Sequence, residues 1–236
     1  MKALIVSDVH ANLWALRAVI RDAGPVDYVL CAGDIVSYGP DPRATLDSLR
    51  APGVIAVRGN HDHAAAFGAD PKASPAKQSL ALAMRDWTRS QLEAADTAWL
   101  ARLPLRLTWE VAGTRFALVH ATPRDPLYDY HLRPDASEAF VQEVTAEIDA
   151  DVLVVGHTHW PLLRTHGDLQ IVNPGSVGQP LDGDPRAAYA VWDDGRITLR
   201  RAEYDQSPAL ASLGRLPIDL PLREALGNML RLARLD

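Results

Sequence analysis

The chain opens with the stretch KALIVSDVHANLWALRAVIRDAG (residues 2–24). Its first part is a run of apolar and β-branched residues, which predicts a buried strand. From Asn12 onward the apolar residues recur at helical spacing, and Asn12 and Gly24 are residue types that begin and end helices. The stretch therefore predicts a strand that is followed at once by a helix. Asp8 and His10 lie at the predicted end of the strand, where solubility alone does not explain them.

The alternation of strand and helix continues along the chain. The stretches VDYVLCAG, DPRATLDSLR and VIAVRG complete a βαβαβ pattern, which is typical of a largely parallel sheet with crossover helices. Between about residues 70 and 103 the pattern is helical throughout, and we predict a helical insertion there. The stretches LRLTWEV and RFALVHA, joined by Ala112 and Gly113, then predict a hairpin.

The last third of the chain returns to β structure and ends in a helix. Asp135 and Glu138 predict a helix start of the capping-box kind. The stretches LLRTHGDLQIV, AAYAVWDD and GRITLRRAEY alternate and turn as an antiparallel meander does. An apolar stripe at helical spacing predicts a C-terminal helix over about residues 218–234, which packs on the body or, as the alternative, forms a homodimer contact. Without a repeat or a flexible linker, residues 1–236 are predicted to form a single domain.

The composition limits the class of protein. Of the 236 residues, 47% are hydrophobic and 23% are charged, as in ordinary soluble globular proteins. The apolar runs are far shorter than the roughly 18 residues of a membrane helix, and the first residues do not form a signal peptide, so we expect a cytoplasmic protein without membrane contact. A net charge of −6 argues against a stable nucleic-acid complex. The single cysteine, Cys31, excludes an internal disulfide and a multi-cysteine zinc site.

Five predicted strands end in side chains that are able to bind metal. These side chains are Asp8, His10, Asp34, Asn60, His120, His157 and His159. Ligands of open α/β sheets bind beyond the carboxyl ends of the strands, so we expect these scattered residues to converge on one crevice. Two of the strand ends carry residues two positions apart, whose side chains point the same way on an extended segment. A single buried Asp or His is more often a satisfied core group, but the recurrence at five strand ends favours a metal site.

The chemistry of this set narrows the choice of metal. It contains imidazole, carboxylate and amide groups but no thiolate, which suits manganese, iron, zinc, cobalt or nickel better than calcium or magnesium. The lack of cysteine argues against structural zinc. The set is too large for one ion. If one carboxylate bridges two ions, the whole set can hold two divalent ions about 3.5 to 4 Å apart. This arrangement is used for in-line displacement at phosphorus.

Six motifs together resemble the calcineurin-like metallophosphoesterases, and in particular their small bacterial and archaeal phosphodiesterase branch. In chain order they are SDVHAN, GDIVSYGPDP, RGNHD, LVHATP, VVGHTH and NPGSVGQPLDGDPRAAY, which extend from Ser7 to Tyr189. A single D-x-H pair is a weak signal, whereas the ordered set is specific. The resemblance implies an α/β fold of the metallo-dependent phosphatase kind, a four-layer α-β-β-α sandwich of two mixed β-sheets flanked by helices.

The resemblance also implies a role for each side chain of the set. Asp8, His10 and His159 would hold the first metal ion, Asn60, His120 and His157 the second, and Asp34 would bridge the two. His61 is similar to the catalytic histidine of the family. It would protonate the leaving oxygen or stabilise charge on the phosphoryl group, while a hydroxide held between the metals attacks from the opposite side.

Loop residues are the candidates for substrate contact. Tyr38, Arg124 and His131 lie in predicted loops, where binding residues concentrate, and Asn12 could line the crevice while it caps the first helix. The protein serine/threonine phosphatases of the superfamily read G-D-x-V-D-R-G where this chain reads GDIVSYG. Ser37 therefore replaces the aspartate that orients the catalytic histidine, and Tyr38 replaces the arginine that grips phosphate. This departure counts against a protein phosphatase.

The sequence thus predicts a hydrolase, a phosphodiesterase with a binuclear metal centre that acts on small phosphodiesters or nucleotides, with manganese as the activating ion. A diadenosine polyphosphate hydrolase or a phosphomonoesterase is the alternative, because the leaving group is read by loops whose shape the sequence does not give. Leu181 stands where the closer branch often has arginine, which bears on substrate preference. A non-catalytic scaffold of the same fold is a remote alternative, since such a scaffold lacks the catalytic histidine.

Overall fold

The computed structural model describes residues 1–234, so residues 235–236 of the predicted domain lie outside the described residues. The strands are β1 (Lys2–Val6), β2 (Tyr28–Cys31), β3 (Val54–Ala56), β4 (Arg106–Val111), β5 (Thr114–Val119), β6 (Val152–Val154), β7 (Leu162–His166), β8 (Leu169–Asn173), β9 (Ala187–Asp193) and β10 (Arg196–Ala202). The helices are α1 (Leu13–Ala23), α2 (Pro42–Leu49), α3 (Asn60–Phe67), α4 (Gln78–Gln91), α5 (Ala94–Arg102), α6 (Glu138–Thr145), α7 (Ser207–Leu213) and α8 (Leu220–Leu232).

The strands form two mixed five-stranded sheets. The first has the order β10-β9-β1-β2-β3 and the second the order β4-β5-β6-β8-β7. In the first sheet β1, β2 and β3 are parallel, and β9 runs antiparallel to β1. In the second sheet β5, β6 and β8 are parallel, and the edge strands β4 and β7 are antiparallel to their neighbours. Each sheet therefore presents the carboxyl ends of three parallel strands at one of its edges.

Strand β1 illustrates how the sequence builds the layers. Ala3 and Ile5 belong to a buried cluster with Phe116 of the second sheet, whereas Leu4 and Val6 belong to a cluster with α1 and α2. Successive side chains of a strand point to opposite faces, so a strand that is apolar at every position is covered on both sides. Helix α6 covers the outer face of the second sheet. The predicted four-layer sandwich of two mixed sheets is confirmed.

The first βα unit agrees with its prediction in detail. The Asn12 side chain accepts a hydrogen bond from the backbone N–H of Ala15 at 3.1 Å, and α1 ends at Gly24, whose φ is +68°. Such a cap stabilises a helix by about 1 kcal/mol. The predicted hairpin is also present as β4 and β5, with Val111 opposite Thr114 at the turn.

The predicted antiparallel meander is wrong. Strand β7 pairs with β8 and β9 pairs with β10, but the two hairpins belong to different sheets. Between them, residues 174–186 carry the chain from the second sheet to the first. The periodicity of a strand does not identify its partner. Strand β9 is buried at six of its seven positions, because α1 covers one face and the second sheet covers the other.

Two helix starts also differ from the expectation. Helix α6 begins after Ser137, whose hydroxyl accepts a hydrogen bond from the N–H of Phe140, so the predicted start at Asp135 is wrong. Helix α3 is not indicated by the sequence pattern. Its first turn buries the polar side chains of His61 and Asp62, so the apolar periodicity that predicts helices is missing there.

Helices α4 and α5 lie within the segment of the predicted insertion, and α8 lies within the predicted C-terminal helix. The apolar stripe of α8 packs on the body, where Leu226, Met229 and Leu230 share a buried cluster with Met84 of α4 and with Tyr38. Packing on the body is the role that the sequence favours for this stripe, and dimer formation stays a prediction. None of the helices in residues 1–234 combines the length and the apolar character that crossing a bilayer requires.

Truncating the buried side of α8 should destabilise the protein. Leu230 is 4% exposed, and Leu230→Ala is expected to lower the free energy of unfolding by about 2–5 kcal/mol, because a cavity remains where the side chain packed. The matched control is Leu232→Ala on the same helix, where the side chain is 53% exposed. Urea denaturation of the two variants measures the difference, and equal midpoints would contradict the packing of α8 on the body.

Candidate metal centre

The seven side chains predicted to bind metal lie together between the two sheets. Asp8 and His10 follow β1, Asp34 follows β2 and Asn60 follows β3. His120 follows β5 of the second sheet, and His157 and His159 follow β6. All seven are buried. The parallel strands of both sheets therefore deliver ligand-type side chains to one crevice, although these residues are up to 151 positions apart.

The backbone brings these side chains together in a different way from the one expected. Asp8 and His10 have φ angles of 52° and 46°, and His157 and His159 have φ angles of 66° and 60°. The prediction that each pair lies on an extended segment is therefore wrong, because all four residues are in the left-handed region. Backbone hydrogen bonds hold the first turn in place, from Asp8 N to Gly33 O and from His10 N to Asp34 O. Such strain costs about 1–3 kcal/mol for each residue and accumulates at functional sites.

A first cluster contains Asp8, His10 and His159, whose ligand atoms lie within 4.8 Å of one another. The Nδ1 atoms of His10 and His159 face the carbonyl oxygens of Val36 and Gln179 at 3.3 and 2.5 Å. A carbonyl oxygen only accepts, so each Nδ1 carries the hydrogen, and in a neutral ring Nε2 has a lone pair. The two Nε2 atoms are nevertheless only 3.2 Å apart, and that of His159 is 3.3 Å from Asp8 Oδ1. Acceptors that converge in this way fit a cation between them.

A second cluster contains Asp34, His120 and His157, with Asn60 beside it. The His120 Nδ1–H donates to Ala32 O at 2.7 Å, and the Asn60 amide nitrogen donates to Pro71 O at 2.8 Å. These bonds turn His120 Nε2 and Asn60 Oδ1 toward each other at 3.1 Å, and His157 Nδ1 lies 3.2 Å from the same Nε2. This second group of acceptor atoms also fits a cation.

Asp34 lies between the two clusters. Its Oδ2 atom is 3.8 Å from His10 Nε2 of the first cluster and 3.3 Å from His120 Nε2 of the second. Its other oxygen, Oδ1, accepts a hydrogen bond from the backbone N–H of His61 at 2.9 Å. This position between the clusters is the one that a bridging carboxylate requires.

The charges of the centre favour cation binding. Burial raises the pKa of a carboxyl group, but the facing His159 ring lowers the pKa of Asp8 to about 2. The pKa of Asp34 is likewise raised by burial, but the facing His120 ring holds it well below its ordinary value. Burial lowers the pKa of His10 to about 3, so its ring is neutral. Burial also disfavours a charge on His120, but the Asp34 carboxylate raises the pKa of His120 to about 9. The centre thus has two buried, negatively charged carboxylates, Asp8 and Asp34. Their negative field is strong enough to keep a proton on the buried His120 ring, and the same field attracts a metal cation.

His61 lies beside the clusters at the start of α3. Its ring centroid is 5.3 Å from that of His10 and 4.6 Å from that of Tyr38. Burial lowers the pKa of His61 to about 4, although the Asp34 carboxylate raises it. Its Nδ1 atom is buried and has no hydrogen-bond partner within residues 1–234. His61 is therefore a neutral ring at pH 7 and lines the cleft above the clusters.

The cleft above the clusters has a volume of about 210 Å³. Of the residues predicted to contact substrate, Tyr38 lines it. Asn12 does not; its amide nitrogen donates to Gly178 O at 3.1 Å and to the Tyr204 hydroxyl at 3.0 Å, and it lines a smaller adjacent cavity. Arg124 and His131 are not among the lining residues either, and both bond to the Asp129 carboxylate. The structure therefore does not bring Arg124 or His131 to the cleft.

Sequence reasoning missed several side chains that build the centre. Asp62 is fully buried, and its carboxylate accepts hydrogen bonds from the N–H groups of Ile35, Val36 and Gly59, which fixes the loop after β2 against α3. Asp62 stands third in α3 within the motif RGNHD, a position where acidic residues cap helices, so a prediction of α3 would have identified it.

The walls of the cleft contain further residues that the sequence does not single out. Lys77, Tyr130, Arg133 and Trp160 line it. The Tyr130 ring lies 3.7 Å from the His157 ring, and the Arg133 guanidinium lies 5.2 Å from the Trp160 ring centroid. These residues come from three separate loops and share no motif, so only the fold brings them together.

The backbone of Gly59 lies so close to Asp34 that there is no room for a side chain at this position. A Cβ atom at this position would lie 2.1 Å from Asp34 Oδ1 and 2.4 Å from Asp34 N. Gly59→Ala is therefore expected to displace Asp34, to destabilise the protein by about 1–3 kcal/mol and to weaken metal binding about 10- to 100-fold. The control is Gly214→Ala, where an added Cβ would lie 3.5 Å from Leu210 O, an ordinary van der Waals contact. Thermal unfolding and metal titration measure both effects, and an unchanged metal affinity in Gly59→Ala would contradict the close approach.

Comparison with known proteins gives similarity over most of the chain. The family model described as the calcineurin-like phosphoesterase superfamily domain matches residues 1–194. An uncharacterised protein of Methanocaldococcus jannaschii is 32% identical over 98% of this chain and 97% of its own. The phosphodiesterase YfcE of Escherichia coli is 27% identical over 84% of this chain and 91% of its own. The crystal structure of a metallophosphoesterase from Sphaerobacter thermophilus matches with a TM-score of 0.81 at 34% identity, over 99% of this chain and 100% of that one.

Proposed function

Because this chain belongs to the calcineurin-like phosphoesterase superfamily, we propose that it hydrolyses phosphoesters with two divalent metal ions and that its substrates are small phosphodiesters or nucleotides. The observation that carries the proposal is the convergence of lone pairs in two clusters joined by Asp34. Buried acceptors that face one another are costly, and here only the proton that the Asp34 field retains on His120 relieves part of that cost. A bound cation would satisfy the acceptors of both clusters.

The proposal assigns the ligands as follows. Asp8, His10 and His159 hold one ion, Asn60, His120 and His157 hold the other, and Asp34 touches both. Two ions bound here would supply the positive charge that polarises a phosphoryl group and activates a water molecule. The nitrogen and oxygen ligands suit manganese, which we propose as the activating ion, with iron, zinc, cobalt or nickel as alternatives.

We assign proton donation or charge stabilisation to His61. Its ring lines the cleft beside Asp34, and its backbone N–H is bonded to the Asp34 carboxylate. The backbone bond and the Tyr38 ring fix the imidazole against the metal centre. A neutral imidazole donates a hydrogen bond from its N–H to a phosphoryl or leaving oxygen, and an approaching anion raises its affinity for a second proton.

The residues that line the cleft favour a small phosphoester that carries a planar group as the substrate. The Arg133 guanidinium over the Trp160 ring and the exposed Tyr130 ring offer surfaces on which an aromatic leaving group or a nucleobase stacks. The Escherichia coli relative is a phosphodiesterase, and this similarity favours diesters as substrates.

The proposed function is tested with a substrate panel. Manganese-loaded protein is assayed with bis(p-nitrophenyl) phosphate, p-nitrophenyl phosphate, cyclic nucleotides and a diadenosine polyphosphate, and the substrates are ranked by kcat/KM. We expect a diester or a nucleotide to rank first and a chelated sample to lose turnover. If the kcat/KM of the monoester or of the diadenosine polyphosphate exceeds that of the diester by more than tenfold, the assignment as a diesterase is wrong. Protein that neither binds manganese nor cleaves any member of the panel would support the scaffold alternative.

A further inference from the structure

Lys77 occupies an unusual position in the cleft. It lies immediately before α4, within the segment of the helical insertion, and lines the cleft together with Asp34 and His61. Its side chain is half-buried. Within residues 1–234 no carboxylate oxygen lies within 4.0 Å of its ammonium, so it has no ion-pair partner there.

The charge of Lys77 acts on the centre. Burial lowers the pKa of Lys77 to about 8, although the Asp8 carboxylate raises it from a distance, so the side chain still carries its charge at pH 7. The ammonium in turn disfavours a charge on His61. Most other cations near the cleft have partners of their own. Arg133 lies over Trp160 and near Asp135, and Lys72 of the same loop lies 4.2 Å from the Tyr128 ring centroid.

A half-buried ammonium without a counter-ion is costly to keep unless a ligand supplies the negative charge. Asp34, His157 and His159 of the two clusters line the same cleft as Lys77, so an anion bound there would lie between the ammonium and the two proposed metal ions. In phosphoryl transfer, negative charge is spread over the non-bridging oxygens of phosphorus, and fixed cations next to these oxygens stabilise it. Tyr38 lines the same cleft but has no positive charge, so it does not supply such a cation.

We propose that Lys77 binds a non-bridging oxygen of the substrate phosphoryl group and of the phosphate product, so that the helical insertion supplies a cation to the active site. The inference rests on the proposed function, which places the phosphoryl group at the clusters. It assigns a second role to the insertion besides packing: α4 contacts the C-terminal helices through Leu80 and Met84, and this packing anchors the residue that precedes the helix.

The test is phosphate binding, which requires no turnover. Inorganic phosphate is titrated calorimetrically into manganese-loaded wild-type protein, Lys77→Met, Lys77→Arg and Lys72→Met. We expect Lys77→Met to weaken phosphate binding about 10- to 100-fold, the effect of losing a hydrogen bond to a charged group, and Lys77→Arg to retain most of it. Lys72→Met, the same substitution on the same loop, should bind phosphate as the wild type does. Metal content should be equal in all four proteins.

The kinetic readout separates the role of Lys77 from a general effect on the fold. With a diester substrate, Lys77→Met should raise KM and lower kcat, while its thermal unfolding stays that of Lys72→Met. Lys77→Met protein that binds phosphate like the wild type, wild-type protein that binds no phosphate, or an equal loss in Lys72→Met would each overturn the inference. If the wild type binds phosphate through Lys77 but cleaves no substrate of the panel, the proposed function fails while the anion site remains.

Discussion

Replacing Asp34 by asparagine is expected to remove both metal binding and catalysis. The carboxylate lies between the two clusters, 3.8 Å from His10 Nε2 and 3.3 Å from His120 Nε2, so both proposed ions depend on it. Asparagine has the same shape but lacks the charge, and its amide group would place hydrogen atoms among the converging acceptors. We expect kcat/KM to fall at least ~1,000-fold, which corresponds to about 4 kcal/mol of transition-state stabilisation.

The loss of metal in Asp34→Asn is measured independently of turnover. Metal content after gel filtration and a manganese titration should show that one or both ions are lost. Because a ligand that binds only the folded state stabilises it, manganese should raise the melting temperature of the wild type and raise that of Asp34→Asn much less. The control is Asp47→Asn on α2, where the carboxylate is 57% exposed and remote from the cleft. An Asp34→Asn protein that retains two ions and wild-type turnover would contradict the bridging assignment.

Local patterns in the sequence account for much of the fold. The apolar runs and the Asn12 cap identify β1 and α1, and the ordered motifs identify the family, which the comparisons confirm. The pairing of β8 and β9 was predicted wrongly, because strand periodicity describes how a strand is covered and not which strand lies beside it. Residues 174–186 carry the chain from one sheet to the other, and their backbone is bonded to residues far away in the sequence, from Val177 N to Ser7 O and from Gly178 N to Asp8 O.

The composition of the candidate centre was predicted better than its geometry. All seven ligand-type side chains meet in the crevice, since parallel strands end at the same edge. The left-handed backbone at Asp8 and His157 could not be read from the residue types, because the hydrogen bonds that hold it join distant residues, from Asp8 N to Gly33 O and from His157 N to Asp8 Oδ2. Loop candidates were the weakest part of the prediction: Arg124 lies at Asp129 instead of in the cleft, whereas Lys77, immediately before α4, lines it.

Replacing His61 by alanine is expected to reduce turnover while the metal centre remains loaded. His61 is not part of either cluster, and it meets Asp34 through its backbone N–H, which alanine retains. We expect kcat to fall about 100- to 10,000-fold, the usual contribution of general acid–base catalysis, with unchanged manganese content. The matched control is His63→Ala on the same helix, where the ring packs against Phe67 and does not line the cleft.

The dependence of this loss on the leaving group decides between the two roles of His61. If the ring protonates the leaving oxygen, His61→Ala should slow an alkyl ester far more than a p-nitrophenyl ester, because a good leaving group departs without a proton. If the ring stabilises charge on the phosphoryl group, both esters should slow by the same factor. Since the buried ring leaves a cavity, His61→Gln serves as a second variant with a smaller change of volume. Loss of manganese in both variants would show that His61 supports the metal centre, and unchanged kcat in both would remove it from the mechanism.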